Sequence, residues 1–319
     1  MSSTEDSTVD VIIIGGGPAG LSAALCLSRA RYKTAIFDSG VYRNAAAPHM
    51  HMVPTWDHGD PKKYRATARA ELSDRYGEVV TFVDLAVTSV KKEEAGTFYA
   101  VDSSGQSWRG RKLILATGVK DIFPDIPGYE ECWIKGIFHC LFCHGYEDAG
   151  VKSIGVLAVD LMAQVPQITN GLVRNALRFS DDVTIYTNGA ESIATTMLEL
   201  VSTADAPQGV KMDSRPIARL TKEDTAAEVT IEFKDGSRIT HGFLVHGPRN
   251  EMELDFAKDL KLERMPSGGE VKVLPPFNET TEPGCFAAGD IGSVGKIVIA
   301  GVAFGTYAAM GVVKQLQGY

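Results

Sequence analysis

Positions 9–14 are β-branched and apolar at every place but Asp10. Such a run predicts a strand buried on both faces of a parallel sheet. Positions 21–27 have helical character, and positions 34–37 form a second short strand-like run. Three runs, at 79–83, 86–90 and 97–101, predict a β-meander, with the charged positions 91–94 as a solvated turn. Further strands are predicted at 112–115, 152–159 and 183–186. Positions 229–233 and 238–240 alternate apolar with polar around Lys234-Asp235-Gly236-Ser237, which predicts a hairpin. Positions 297–313 are 17 residues of largely apolar sequence with three internal glycines. That is short for a membrane span of about 20 residues, so a buried helix is expected. The pattern is that of an α/β chain with two related halves.

The first strand runs directly into Gly15-Gly16-Gly17-Pro18-Ala19-Gly20. Gly15, Gly17 and Gly20 complete a GxGxxG string between a strand and a helix, the context this motif requires. The first glycine permits the tight turn, the second lets a pyrophosphate approach the backbone, and the third lets helix and strand pack closely. The helix N-terminus adds unpaired N–H groups and a positive dipole. Asp38 ends the second strand 18 residues after Gly20, where a carboxylate can accept hydrogen bonds from both ribose hydroxyls. A dinucleotide site is expected.

The stretch His139-Cys140-Leu141-Phe142-Cys143-His144-Gly145 carries a different chemistry. Two cysteines separated by two residues can close a small disulfide or open to a dithiol. The attacking species in such exchange is the thiolate, so neighbours that move protons matter. Zinc sites also use this spacing, but they need a second pair of ligands. Cys26, Cys132 and Cys285 are scattered and form no second pair, so redox chemistry is expected and no metal. Cys285 reads as a small buried residue. Positions 45–61 are rich in His49, Met50, His51, Met52, Trp56 and His58. They read as the wall of a substrate pocket, or as a loop packed on a cofactor or a second subunit.

Composition narrows the partners. The chain has 319 residues, 44 % hydrophobic and 23 % charged, with a formal net charge of −8. That length accommodates two domains. The negative balance argues against nucleic acid or an anionic membrane as partner. Five cysteines without framework spacing do not suggest a secreted disulfide scaffold. Glu5, Asp6 and Asp10 precede a run that turns glycine-rich at once, unlike a signal peptide, and a cytoplasmic protein is expected.

Two later motifs extend the dinucleotide reading. Positions 112–118 are strand-like and end in Ala116-Thr117-Gly118, and positions 284–290 end in Gly289-Asp290. With the glycine fingerprint, these resemble the flavoproteins that carry two dinucleotide-binding domains. The resemblance implies an FAD site in which Asp290 holds the ribityl chain. The helix starting near Ile297 would then point its N-terminus at the isoalloxazine, where reduction places negative charge.

The position of the CxxC, between Ala116-Thr117-Gly118 and the strand at 152–159, resembles low-molecular-weight thioredoxin reductases over nearly the whole chain. That implies two Rossmann-like α/β domains. Residues 1–123 and 247–319 would form a discontinuous FAD-binding domain, and residues 124–246 a CxxC-bearing domain of the NADPH type. It implies that Cys143 lies nearest the flavin, that Cys140 exchanges with the partner, and that the protein is a homodimer. Two departures matter. The residue after the second cysteine is His144 rather than the family's aspartate, and a histidine titrates near pH 6.5, at about neutrality, serving as base or acid. Against the expected GxGxxA, the chain offers Ala158, Asp160 and Ala163. Both early glycines are gone, and a carboxylate stands where a pyrophosphate would approach. Nor does any Arg or Lys occur in Thr187-Asn188-Gly189-Ala190-Glu191 to hold a 2′-phosphate.

With the nucleotide site lost, the thiol side remains as electron donor. The chain thus resembles the thioredoxin-reductase-like oxidases of natural-product pathways, which close disulfides in molecules such as gliotoxin and holomycin. That resemblance implies an FAD-dependent dithiol oxidase acting on a small dithiol substrate, with O2 as acceptor. His144 would deprotonate the substrate thiol. Glu147 reads equally as a carboxylate orienting it or as a surface charge, and His139 equally as structural or catalytic. The competing readings are an NAD(P)H-dependent disulfide reductase and a flavoprotein that only sequesters a thiol compound.

Overall fold

The computed structural model describes residues 7–201, 210–266 and 268–319, so Glu5, Asp6 and Gly209 lie outside the described residues. The chain divides into one unit of Met1–Lys120 with Asn250–Tyr319 and a second of Asp121–Arg249.

The first unit is built on the strand Ser7–Ile14, whose Val11, Ile12 and Ile13 are wholly buried. It pairs in parallel with Thr34–Phe37 on one side and with Ser107–Leu115 on the other. Cys285–Ala287 adds a further parallel strand beyond Ser107–Leu115. Val80–Val83 pairs in parallel with Thr34–Phe37, so it is not part of the meander that the sequence predicts. The meander instead runs Val87–Lys92, Phe98–Asp102 and Ser107–Leu115. The helix Pro61–Tyr76 lies between the two parallel strands and makes the connection a crossover, which strand patterning alone does not reveal.

The helix Pro18–Arg29 packs on Val298–Gln317 through small residues. A Cβ on Gly305 would stand 2.1 Å from the Ala19 carbonyl oxygen, so this contact is backbone to backbone. The Ser22 hydroxyl donates to the Val302 carbonyl at 2.8 Å across the same seam. The second helix is buried on one face only, at Gly301, Gly305, Ala308, Ala309, Gly311 and Val312. Ile299, Tyr307 and Met310 remain exposed, which corrects the expectation of a buried helix. Its 20 residues are long and apolar enough to cross a membrane, but its glycine face is committed to the unit's core.

The second unit has a five-stranded parallel sheet in the order Val210–Asp213, Val183–Tyr186, Ile154–Leu157, Phe243–Val245, Ile137–Phe138. The predicted hairpin, Val229–Phe233 with Arg238–His241, is joined by Ile217–Lys222 in a three-stranded antiparallel sheet. Asp235 accepts from the Ser237 N–H at 2.9 Å, and Gly236 takes the left-handed turn position at φ +85°.

Two histidines lie inside this unit. His241 holds the Tyr186 hydroxyl at 2.6 Å and the Ser153 hydroxyl at 2.9 Å. His246 holds the Tyr129 hydroxyl at 2.7 Å. Burial pushes both from the usual 6.5 down to about 4. Each is neutral when folded and protonated when unfolded between those values. The unfolded chain then binds the extra proton, so stability is complete above pH 6.5 and falls as the pH drops toward 4. Each histidine contributes a slope of about 1.4 kcal/mol per pH unit. Urea unfolding between pH 7 and 5 checks this, and His241→Gln should remove about half of the slope. A midpoint that does not move in that window would contradict the account.

Candidate functional site

In the first unit the turn after Ser7–Ile14 has no room for a side chain at Gly15, Gly16 or Gly20. Gly15 sits at φ +119°, and a Cβ there would meet the Ala116 carbonyl oxygen at 2.2 Å. On Gly20 a Cβ would fall 1.9 Å from the Gly15 oxygen. Gly16, which the motif leaves unspecified, would place its Cβ 2.1 Å from Asp38 Oδ2. Gly17 caps the helix in extended conformation with open space where its Cβ would be. No side chain caps this helix, and Pro18 at its start has no N–H to leave unpaired. The Ala19 and Gly20 amides lie in the first turn, where a helix offers N–H groups to an anion.

The other motif residues follow the ends of neighbouring parallel strands. Asp38 follows Thr34–Phe37, Ala116-Thr117-Gly118 follows Ser107–Leu115, and Gly289-Asp290 follows Cys285–Ala287. Asp38 is buried and accepts the Gly40 N–H at 2.9 Å and the Tyr42 hydroxyl at 2.5 Å. A carboxylate has about four lone-pair sites, so two more donors can be accommodated. Burial, and then the bond to Asp38, pushes the Tyr42 phenol up to about 12. The Arg65 guanidinium stacks 3.8 Å over the Tyr42 ring. Asp290 pairs with Arg43 at 3.0 Å. Gly289 is held at φ +83° with its Cβ position 3.0 Å from that of Ala19. Ile297 caps the helix Val298–Gln317 in extended conformation. Sequence reasoning missed Tyr42, Arg43 and Arg65. The strand ends, the side-chain-free turn and the open cradle at Gly17 fit a dinucleotide.

The His-rich loop of this unit is tightly folded. His51 Nε2 lies 3.0 Å from His58 Nδ1, and His49 stacks on His58 at 3.9 Å. Met52, Thr55 and His58 all take positive φ.

In the second unit Cys140 and Cys143 form a disulfide with an S–S distance of 2.12 Å. The segment leaves the buried strand Ile137–Phe138 and makes one tight turn, with the Cys143 and His144 amides donating to the Cys140 carbonyl at 3.1 Å. Leu141 is buried in the core beside Phe138 and Phe243 and pins this turn. Gly145, at φ +101°, ends it. His139 stacks on Trp133 and His144 on Phe138, both at 5.3 Å between ring centres. The two imidazoles are 6.4 Å apart. Glu147 is exposed, whereas Asp148 is partly buried and its carboxyl is pushed up by burial and then by Glu147. Cys132 and Cys285 are buried thiols pushed up to about 11 and about 12 by burial, which keeps them from forming thiolates.

The model of the pyridine nucleotide-disulphide oxidoreductase family matches residues 9–306. The chain belongs to that family. It is similar to thioredoxin reductase aclD of Aspergillus oryzae, 47 % identical with 96 % of each chain covered. It is also similar to thioredoxin reductase sirT of Leptosphaeria maculans, 41 % identical over 98 % of this chain and 95 % of the relative. Among solved structures, HlmI matches with a TM-score of 0.83 at 29 % identity, covering 99 % of this chain and 95 % of that one. This pyridine nucleotide-disulphide oxidoreductase is a flavin-dependent enzyme of the thioredoxin reductase type.

Its second unit departs from a nucleotide-binding half in backbone as well as in sequence. After the strand Ile154–Leu157, Asp160 stands at φ +47°, a conformation natural to glycine and costly for other residues. Only one helical turn follows, Leu161–Gln164. The chain then breaks at Val165 and restarts at Pro166 as the helix Pro166–Ala176. The Thr169 hydroxyl donates to the Met162 carbonyl at 2.7 Å and fastens the break. A continuous helix aimed at the strand end, which pyrophosphate binding requires, is absent among the described residues. Beyond Val183–Tyr186, Asn188 accepts the Ile217 amide at 2.7 Å. Arg215, a cation that sequence reasoning overlooked, is tied to Asp213 at 2.5 Å and stacked on Phe233.

Proposed function

We propose that this flavoenzyme is an FAD-dependent dithiol oxidase that closes an intramolecular disulfide in a small molecule. Gly15, Gly17, Gly20, Asp38, Gly118 and Asp290 of the first unit hold the cofactor, and Arg43 joins them through Asp290. FAD bound there would supply an acceptor for the electron pair of the dithiol, with O2 as the final oxidant and hydrogen peroxide as its product.

The second unit performs the exchange. His144 takes the proton of a substrate thiol. The thiolate attacks Cys140, and Cys143 leaves as thiolate. The second substrate thiol then attacks the mixed disulfide at the substrate's own sulfur, releasing Cys140. The substrate leaves as disulfide and the two enzyme cysteines are left reduced. One observation carries this direction: a redox disulfide shares its unit with a nucleotide position disabled by Asp160 and by the break before Pro166. The −8 net charge supports a small-molecule partner over nucleic acid or membrane, and a cytoplasmic homodimer is part of the same reading.

An NAD(P)H-dependent disulfide reductase is the second reading, and the names of the relatives favour it. Anaerobic visible absorbance of the holoenzyme separates the two. We expect NADPH to leave the flavin band unchanged, a small dithiol to bleach it, and air to restore it with formation of peroxide. Bleaching by NADPH would assign the protein to the reductases.

A further inference from the structure

Two large apolar side chains stand exposed beside the redox disulfide. Phe142, between the two cysteines, is 70 % exposed, and Tyr146, three residues after Cys143, is 83 % exposed. Their neighbours are arranged otherwise. Leu141 is buried in the core, while Phe138 stacks on His144 and Trp133 on His139. The rings of Phe142 and Tyr146 pair with no other aromatic among the described residues. The chain thus buries the smaller apolar residue of the Leu141-Phe142 pair and leaves the larger in water.

We propose that Phe142 and Tyr146 form the platform that receives the scaffold of the substrate dithiol, and that this scaffold is small, uncharged and flat. The proposal rests on the dithiol oxidase reading. Aromatic rings have few rotatable bonds, so they offer flat contact area at low entropic cost. The carboxylates of Glu147 and Asp148 directly follow, which disfavours anionic thiols such as glutathione. Area argues for a small molecule over a protein. Two rings offer roughly 300 Å² of apolar surface, well below the ~1,200 Å² of a stable protein interface. The platform holds the scaffold while its two thiols become one disulfide and the Cys140–Cys143 bond becomes two thiols. Two hydrogens pass from substrate to enzyme, and the enzyme disulfide is the oxidant.

The test compares two dithiols on the oxidised holoenzyme that both close six-membered disulfides, 1,2-bis(mercaptomethyl)benzene with a flat ring and dithiothreitol without one. The readout is the ratio of their kcat/KM values, taken from peroxide formation. In Phe142→Ala,Tyr146→Ala the ratio should fall about tenfold, mostly through KM for the aromatic dithiol. Phe142→Tyr should hold it near the parent value. Tyr319→Ala, a change at an equally exposed aromatic far along the chain, should leave it unmoved. An unmoved ratio in the double variant overturns the platform while the oxidase reading stands. So does a larger loss with reduced thioredoxin than with the aromatic dithiol, which would make the rings a protein-docking surface. If the parent enzyme oxidises neither dithiol, the oxidase reading itself fails and the platform falls with it.

Discussion

Cys143→Ser is expected to abolish dithiol turnover, by at least about a thousandfold, while the protein keeps its fold and its flavin. The exchange begins only when a substrate thiolate has a disulfide sulfur to attack. With one of the two sulfurs gone, no disulfide exists and no alternative pair is at hand. Cys132 and Cys285 are buried with raised pKa values, and Cys26 is raised by burial as well. Cys140→Ser should be equally inactive for the same reason. The two variants differ in what they trap. With a small aromatic disulfide as probe, Cys140 left alone in Cys143→Ser should form a mixed disulfide, seen by intact mass. Cys143 left alone in Cys140→Ser should do so far more slowly. Equal labelling would leave the division of labour between the two sulfurs without support. Residual turnover near one tenth in either variant would mean that the disulfide is not on the path.

The glycine turn proposed to hold the cofactor was legible because its requirements are local. A turn that brings a helix start against a strand end leaves no space for a Cβ at Gly15 and Gly20, and an open Gly17 between them completes a spacing that announces itself. Asp38 could be found because it follows a strand whose composition is unmistakable, and Asp290 through the resemblance that Gly289-Asp290 carries. Arg43 carries no such mark. It meets Asp290 across 247 positions, and nothing in either neighbourhood fixes that pairing. Tyr42 and Arg65 are equally silent, since their contact with Asp38 depends on how a loop and a helix pack. Val80–Val83 shows the same limit in the fold. Its β-branched residues identify a strand, but the partner is decided by the crossover through Pro61–Tyr76. In the second unit the missing glycines were visible, but the broken helix was not read, although Pro166 in a helical pattern is a recognised breaker.

That break also decides how the second unit can work. Its parallel sheet, with Val156, Val183, Ile185 and Phe243 wholly buried, is an intact dinucleotide-type core. A core of that quality stabilises the unit whether or not a nucleotide binds. The segment after Ile154–Leu157 keeps Ala158, Val159 and Met162 buried while its backbone departs from a continuous helix. A positive φ at Asp160, a single helical turn and a proline restart are the changes it shows. The disulfide turn, in contrast, is anchored by Leu141 in that core. On the dithiol oxidase reading, the unit keeps what positions the cysteines and has altered what would position a pyridine nucleotide.

The cradle makes the last and most demanding prediction. Gly20→Ala adds one methyl group, and its Cβ would lie 1.9 Å from the Gly15 oxygen and 3.1 Å from the Gly15 carbonyl carbon. Both are backbone atoms of the turn itself, so no side chain can rotate to relieve the clash. The helix start must move away from the strand end, and the amides of the first turn move with it. We expect a loss of about 2–3 kcal/mol of stability and a protein that purifies largely without flavin, read as a collapsed ratio of visible to protein absorbance. Gly305→Ala should act in the same direction from the other side, because its Cβ would stand 2.1 Å from the Ala19 oxygen in that same first turn. Gly171→Ala is the contrasting case. Gly171 lies within Pro166–Ala176 with open space around its Cβ position, so alanine should stabilise that helix by up to ~1 kcal/mol. If Gly20→Ala retained flavin and stability as Gly171→Ala should, the turn after Ser7–Ile14 would not be the cofactor's seat. The flavin reading of the first unit would then need another anchor.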